Sequence, residues 1–288
     1  MEGTEPGGDA AELLALLEVE QLDRDLYRGS SPADSPTRVF GGQVAAQALI
    51  AAARTVATGR VHSLHAYFLR PGSPAAPIIY HVQRIRDGRS FTTRRVEAVQ
   101  GGTVIFNLTA SFHESSDEHG FDHHDELDEP PPPAESVPTF PERLMEWGID
   151  ALLPAQLRLI DLRPIEFVDP SAPSPLPPQR RVWFRAHGAL PDDPVVHTCV
   201  VTYASDLYLL GTALLPHGIP STSHEVSFAS LDHAMWFHRP FRADEWLLHV
   251  QRTPSASFGR GFATGAIHRA DGMLAVTVVQ EGVVRRRR

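Results

Sequence analysis

The stretch HAYFLRP at residues 65–71 returns later in the chain as HAMWFHRP at residues 233–240. Three further matches follow in the same order and at a nearly constant offset of about 168 residues: HVQR at 81–84 and 249–252, Ser90-Phe91 and Ser257-Phe258, and Gly102 and Gly272. Such an ordered series indicates an internal duplication. We therefore predict two copies of one domain in this chain.

An acidic segment separates the two copies. Residues 114–135 carry nine acidic side chains and no arginine, and four consecutive prolines occupy 130–133. Charge repulsion and the fixed φ of proline both oppose a packed core, so the segment is predicted to be a semi-rigid linker. The predicted boundaries are an N-terminal unit at 1–114, a linker at 115–141 and a C-terminal unit at 142–288.

Each copy has one long apolar segment followed by short strand-like segments. The first has an alanine-rich helix at 43–56, and the second has an apolar stretch at 195–215 in the same place. Predicted strands follow at 61–69, 78–85, 91–100 and 104–112, and at 226–237, 246–252, 261–268 and 274–284, with Asp87-Gly88, Gly101-Gly102 and Asp271-Gly272 as turns. The pattern predicts an α+β fold in which a curved antiparallel sheet wraps one helix in each copy.

Composition excludes several classes of protein. The formal net charge is −9, which argues against a nucleic-acid binder. The single cysteine excludes an intrachain disulfide, and the acidic N-terminus is unlike a secretory signal, so we expect a cytoplasmic protein. No membrane span is expected, because the apolar run at 44–53 is far shorter than the ~20 residues needed. No nucleotide loop or metal motif stands out, and we predict no cofactor and no metal.

Three polar side chains occur where apolar ones are expected. Asp206 lies in the apolar stretch 195–215, where it either belongs to a buried helix or caps a helix that begins later. Gln280 ends an apolar stripe in the last predicted strand, or simply lies at a strand end. Ser230 precedes the pair Asp232-His233 and could start a strand.

The duplication favours a functional interpretation of these three residues. In the alignment of the copies, Gln280 falls opposite Ala110, Ser230 falls opposite His62, and the first helix has no acid to match Asp206. The polar set therefore belongs to the second copy alone. An acid, a hydroxyl and an amide can together hold a water molecule, with the carboxylate as general base.

Several longer motifs resemble the acyl-CoA thioesterase II (TesB-type) family. They are VFGGQ at 39–43, HAYFLRP at 65–71, RDGRSF at 86–91, YASD at 203–206, LPHG at 215–218, DHAMWFHRP at 232–240 and VQEG at 279–282. The resemblance implies a double hot-dog fold and hydrolysis of acyl-CoA to a free acid and CoA. It also implies a catalytic trio that corresponds to Asp206, Ser230 and Gln280, with Ser230 where many members have threonine.

The mechanism expected from this resemblance is direct hydrolysis, without a covalent acyl-enzyme. The backbone donors for the oxyanion would come from a helix N-terminus, either that of the Asp206 helix or the Gly41-Gly42 turn. Two alternatives are a non-catalytic acyl-CoA binder and a hot-dog hydratase, which needs a histidine that is missing from residues 207–212. Acyl-CoA is the expected partner, and exposed hot-dog sheets lead us to expect a homo-oligomer.

Overall fold

The computed structural model describes residues 8–32, 38–114, 120–149, 155–220 and 223–287. The elements of the first half are α1 (Gly8–Leu17), β1 (Glu20–Asp23), β2 (Leu26–Gly29), α2 (Gly41–Ala53), β3 (Arg60–Phe68), β4 (Ile78–Asp87), β5 (Phe91–Gln100) and β6 (Thr103–His113). The elements of the second half are α3 (Phe140–Glu146), α4 (Ala155–Arg158), β7 (Ile160–Pro164), β8 (Gln179–Ala186), α5 (Pro194–Ser205), a 3₁₀ segment (Leu210–His217), β9 (Val226–Ser230), β10 (Asp232–Phe237), β11 (Leu247–Ser257), β12 (Arg260–Arg269) and β13 (Leu274–Arg286).

Within the described residues, thirteen strands form one antiparallel sheet in which the two halves repeat each other's order. The order runs β1-β2-β4-β5-β6-β3-β10-β13-β12-β11-β8-β7, and β9 pairs with the end of β13. The four strands β4-β5-β6-β3 of the first half therefore correspond, one by one, to the strands β11-β12-β13-β10 of the second half. The two sets meet where β3 pairs with β10. This arrangement confirms the predicted helix-and-sheet unit in both halves.

The two central helices pack against each other inside the curved sheet. Residues 42–52 of α2 are buried, as its alanine content predicts. A Cβ added to Gly42 would lie 2.4 Å from the carbonyl oxygen of Tyr203 in α5, so only glycine permits this approach. The ring of Phe40 also contacts that of Tyr203, with centroids 5.1 Å apart. The start of α2 thus meets the end of α5.

The second apolar stretch differs from its prediction as a single helix at 195–215. Helix α5 ends at Ser205, Asp206 is its C-cap, and the 3₁₀ segment begins only at Leu210. Between them Tyr208 has φ of +68°, in the left-handed region that a continuing helix cannot use. By length and mean hydropathy alone, Pro194–His217 could cross a membrane, but 78% of its apolar window is buried inside the protein.

Residues 132–137 of the predicted linker pack against the second half, contrary to the prediction that charge and proline would prevent packing. Ala134 and Val137 are buried beside Leu248, on the outer face of β11. The indole nitrogen of Trp183 donates to the carbonyl oxygen of Pro132 at 2.9 Å, and that of Trp246 donates to Glu135 at 2.7 Å. The backbone carbonyl of Pro132 thus serves as an acceptor for Trp183 of β8, and the side-chain carboxylate of Glu135 as an acceptor for Trp246.

The duplication does not preserve which face of the sheet a side chain occupies. His65 and His81 are exposed, whereas the histidines matched to them by sequence, His233 and His249, are 1% and 2% exposed. Side chains alternate between faces along a strand, so a displacement of one residue between the copies reverses the direction of every side chain. The second half consequently buries polar groups that the first half leaves in solvent.

Candidate active site

Gln280 lies in the middle of β13, not at a strand end. It faces inward in line with Val276 and Val278, and all three side chains have 0% exposure. Its amide nitrogen Nε2 donates to Asp206 Oδ1 at 2.6 Å and to Ser230 Oγ at 3.0 Å. The predicted apolar stripe with one amide is therefore present, and the amide binds the other two predicted residues.

Asp206 occupies the C-terminal end of α5, where the helix stops. It is neither inside a continuous helix nor the N-cap of a later one. Its Oδ1 accepts hydrogen bonds from Gln280 and, at 3.3 Å, from the hydroxyl of Ser230. Its Oδ2 accepts the backbone N–H of Gly42 at 2.9 Å. The half-buried carboxylate is thus hydrogen-bonded on both oxygens, as a charge in such a place requires.

Ser230 is the last residue of β9, and Asp232 begins β10 after a one-residue break. The break directs the hydroxyl inward, toward Asp206. Asp232 accepts the backbone N–H of Glu281 at 2.7 Å and so ties the break to β13. Burial raises the pKa of Asp232 above its usual value, while this hydrogen bond acts in the opposite direction. The structure therefore brings together all three residues that the sequence singled out.

The Gly41-Gly42 turn supplies the first turn of α2 to this site. A Cβ on Gly41 would lie 2.7 Å from Asp206 Oδ2 and 2.9 Å from the ring of Phe68. Phe40, the N-cap residue, makes no side-chain capping bond, so Asp206 from the other half of the chain serves as acceptor at this helix start. The N-terminus of a helix favours negative charge, which suits a carboxylate there.

A cavity of about 840 Å³ opens beside these groups and is lined by both halves of the chain. Asp206, Ser230 and Gly41 contribute to its wall at the polar end. Most of the remaining lining is apolar: Val39, Phe40, Val44, Phe68, Leu69, Ile105, Phe106, Phe140, Leu144, Ile149, Leu157, Tyr208, Leu210 and Phe228. A largely apolar cavity with a carboxylate on its wall can hold an acyl chain with its reactive carbonyl near the acid.

Helix α3 forms part of this wall and was missed by the sequence analysis, which placed its first residues in the linker. Phe140 and Leu144 point into the cavity, and the ring of Phe140 contacts that of Tyr208. The signal was present as a capping box, in which Thr139 and Glu142 bind each other's backbone N–H groups. The helix start was therefore readable, although its role in the cavity was not.

The protein-family model for acyl-CoA thioesterases matches residues 163–283 of the sequence, and the family model for the acyl-CoA thioesterase N-terminal domain matches residues 30–113. Human acyl-coenzyme A thioesterase 8 is 42% identical over 297 residues, which cover 98% of this chain and 92% of that protein. The chain belongs to the acyl-CoA thioesterase family. It is a thioester hydrolase that acts on acyl-CoA.

Solved structures of the family share the fold. The acyl-CoA thioesterase II TesB2 of Mycobacterium marinum has a TM-score of 0.79 and 43% identity, covering 96% of this chain and 98% of that one. A hot-dog protein of Alicyclobacillus acidocaldarius has a TM-score of 0.74 at 20% identity, covering 96% and 99%, and shows the fold alone. These likenesses confirm the predicted double hot-dog architecture of this thioesterase.

The thioesterase contains no group of three or more histidine, cysteine, aspartate or glutamate side chains suited to a metal within the part of the chain that the structure describes. His123 and His124 lie in the acidic segment, where Nδ1 of His124 contacts the carbonyl oxygen of Asp125.

Proposed function

We propose that Asp206, Ser230 and Gln280 carry out the hydrolysis, with Asp206 as general base. The observation that supports this assignment is the convergence of an amide, a hydroxyl and a backbone N–H on one carboxylate at the wall of an apolar cavity. Among the described residues that line the cavity, Asp206 is the only carboxylate. The direct attack of water then needs no covalent intermediate.

The hydrogen bonds support a role for each individual atom in this proposal. Asp206 Oδ1 already accepts two hydrogen bonds, whereas Oδ2 accepts one, from Gly42, and retains a lone pair. Both protons of the Gln280 amide are engaged, and Ser230 Oγ keeps one acceptor position. We place the attacking water with its hydrogens on Asp206 Oδ2 and Ser230 Oγ. Gln280 then orients these two groups and does not touch the water.

In the reaction the water oxygen forms a bond to the thioester carbonyl carbon as its proton passes to Asp206 Oδ2. The tetrahedral intermediate collapses with cleavage of the C–S bond, and the proton leaves with the sulfur as the CoA thiol. The start of α2 is the nearer source of oxyanion donors, because α5 begins at Pro194, about 18 Å along the helix from Asp206. Arg38 and Arg70, which also line the cavity, are suited to the CoA phosphates.

Replacement of the base tests this assignment. Asp206→Asn should lower kcat for thiol release by about a hundredfold or more, and Ser230→Ala and Gln280→Ala by about tenfold, because they orient the base. Release of CoA thiol from short, medium and long acyl-CoAs is the assay. Asp193→Asn, at the other end of α5, is the matched control and should retain activity, since asparagine also caps helices. Near wild-type turnover by Asp206→Asn would refute the assignment.

The cytoplasmic location and the homo-oligomer predicted from the sequence stay predictions. Size-exclusion chromatography with light scattering measures the second directly.

A further inference from the structure

His233 lies directly behind the proposed catalytic residues and has no role in the mechanism above. It belongs to β10, is 1% exposed, and follows Asp232 at the strand break. The register of β10 against β13 pairs Ala234 with Val279, so His233 and Gln280 are opposite neighbours on the inward face. Such neighbours have Cβ atoms about 5 Å apart.

The hydrogen bonds of Ser205 bear on the tautomer of His233. The Ser205 hydroxyl lies 2.9 Å from the carbonyl oxygen of Thr202, which can only accept, and donation of its single proton there leaves the Ser205 oxygen to accept from His233 Nε2–H at 2.8 Å. In that arrangement Nδ1 of His233 carries a lone pair. Burial lowers the pKa of His233 below its usual value, while Asp206 and Asp232 act in the opposite direction, and this favours the neutral ring. His249, the other histidine facing it, is also buried.

Two buried acceptors then belong to neighbouring residues on the inward face of the strand pair. Among the described residues, neither His233 Nδ1 nor Gln280 Oε1 has a hydrogen-bond partner. Leaving buried polar atoms unsatisfied is costly, and a molecule that donates two hydrogen bonds would satisfy both. We propose that His233 is a positioning residue for Gln280, in which one water molecule donates to His233 Nδ1 and to Gln280 Oε1 and so holds the carbonyl end of the amide.

This anchor matters when the base changes charge. The amide nitrogen of Gln280 is held by the Asp206 carboxylate, and that bond weakens once Asp206 has taken a proton, because hydrogen bonds to charged groups are the stronger ones. The bond at the carbonyl end is independent of the charge on Asp206. His233 thereby keeps Gln280 and Ser230 in place through the whole reaction. The inference rests on the catalytic role proposed for Gln280.

Asparagine and glutamine separate the two nitrogens of the ring. In His233→Asn the side-chain amide lies near the place of Nδ1, and in His233→Gln it reaches the place of Nε2. We expect His233→Asn to retain kcat within about threefold, and His233→Gln and His233→Leu to lower it about tenfold with little change in KM. Full activity of His233→Gln, or equal losses in all three variants, would overturn the proposal.

A double-mutant cycle provides the second measurement. Once Gln280→Ala has been introduced, His233→Gln should cost no further kcat, whereas additive losses would contradict the coupling. His197→Gln, a buried histidine at the far end of α5, is the control for a general loss of packing and should retain activity. Full activity of the single variant Gln280→Ala would refute the proposed role of Gln280. Full activity of the His233 variants together with a loss in Gln280→Ala would refute the role of His233 and leave that of Gln280 intact.

The wild-type protein gives a test that does not depend on how the variants fold. In ¹⁵N NMR spectra of the histidine rings, His233 should be neutral near pH 7, with its proton on Nε2 and a hydrogen-bonded acceptor at Nδ1. A proton on Nδ1 would overturn the proposal.

Discussion

The C-terminal ends of α2 and α5 are equivalent in the duplicated fold and are filled in opposite ways. At the end of α5, Asp206 is an acid that faces a cavity. At the end of α2, the guanidinium of Arg94 from β5 donates to the hydroxyl of Thr55 at 2.7 Å and to its carbonyl oxygen at 3.1 Å. Arg94 is 1% exposed. One end of the helix pair therefore forms the candidate active site, and the other is filled by the buried side chain of Arg94.

The strands behind the two ends account for the difference. β12, which holds the place of β5 in the second half, has Ala263 and Gly265 facing inward, and the small residues leave room for polar groups from its neighbours. A Cβ on Gly265 would lie 2.2 Å from His249 Nε2. In a duplicated scaffold, one end of the helix pair can thus contribute stability while the other carries the catalytic residues, because neither end has to do both.

Removing the buried side chain of Arg94 should have the largest effect on stability. Arg94→Ala deletes the bonds to Thr55 and to the carbonyl oxygens of Arg86 and Thr93, and leaves a cavity. We expect the free energy of unfolding to fall by about 2–4 kcal/mol, with kcat unchanged. Urea denaturation and the thiol-release assay measure the two quantities.

Arg95→Ala is the matched control for this change. Arg95 is the next residue and its side chain is 47% exposed in a surface pair with Glu97, so its loss should cost no more than about 0.5 kcal/mol. Equal losses of unfolding free energy for the two variants would mean that the buried Arg94 side chain stabilises the fold no more than a surface arginine does. A fall in kcat for Arg94→Ala would mean that the two ends of the helix pair are coupled.

A smaller change at the other end should affect catalysis more than stability. In Gly41→Ala the new methyl group would meet Asp206 Oδ2, the atom assigned as the base. Displacement of that oxygen should lower kcat by about ten- to a hundredfold. Gly42→Ala, by contrast, meets the backbone of Tyr203 and should destabilise the fold by about 1–3 kcal/mol.

Gly120→Ala is the neutral control for both glycine variants, because nothing lies within 4 Å of its added Cβ. Steady-state thiol release and thermal unfolding should be recorded for all three. If Gly41→Ala lost stability but kept kcat, Asp206 Oδ2 would not be the reacting oxygen.

The sequence predicted this asymmetry only in part. Asp206, Ser230 and Gln280 were found because a polar residue in an apolar run stands out, and because the first copy has no counterparts. Arg94 gave no such signal, since an arginine in a strand is normally exposed, and only the fold shows that it fills the end of α2. The break after α5 was also missed, because a positive φ at Tyr208 leaves no trace in hydropathy.

A pH-dependent effect is expected at the matched histidines His81 and His249, which are followed by the same three residues and have opposite exposure. Burial lowers the pKa of His249 to about 3 in the folded protein, against about 6.5 when unfolded. Between these values the unfolded chain binds a proton that the folded chain does not. Burial of the neutral ring therefore costs no stability above about pH 6.5, and the free energy of unfolding decreases as the pH falls below that value. The slope is about 1.4 kcal/mol per pH unit.

His249→Asn should therefore flatten the fall in unfolding free energy between pH 6 and pH 4, whereas His81→Asn should leave the wild-type slope in place. Urea denaturation across this range measures both, and the carboxylates of the chain contribute equally to each variant. The amide oxygen of asparagine lies near the place of Nδ1, the ring nitrogen that Gln251 contacts at 3.1 Å, so this bond is retained and the comparison isolates the titration of the ring. Identical slopes for the two variants would show that the buried face of the second half does not carry the acid sensitivity, and that the reversal of faces between the copies has no energetic consequence.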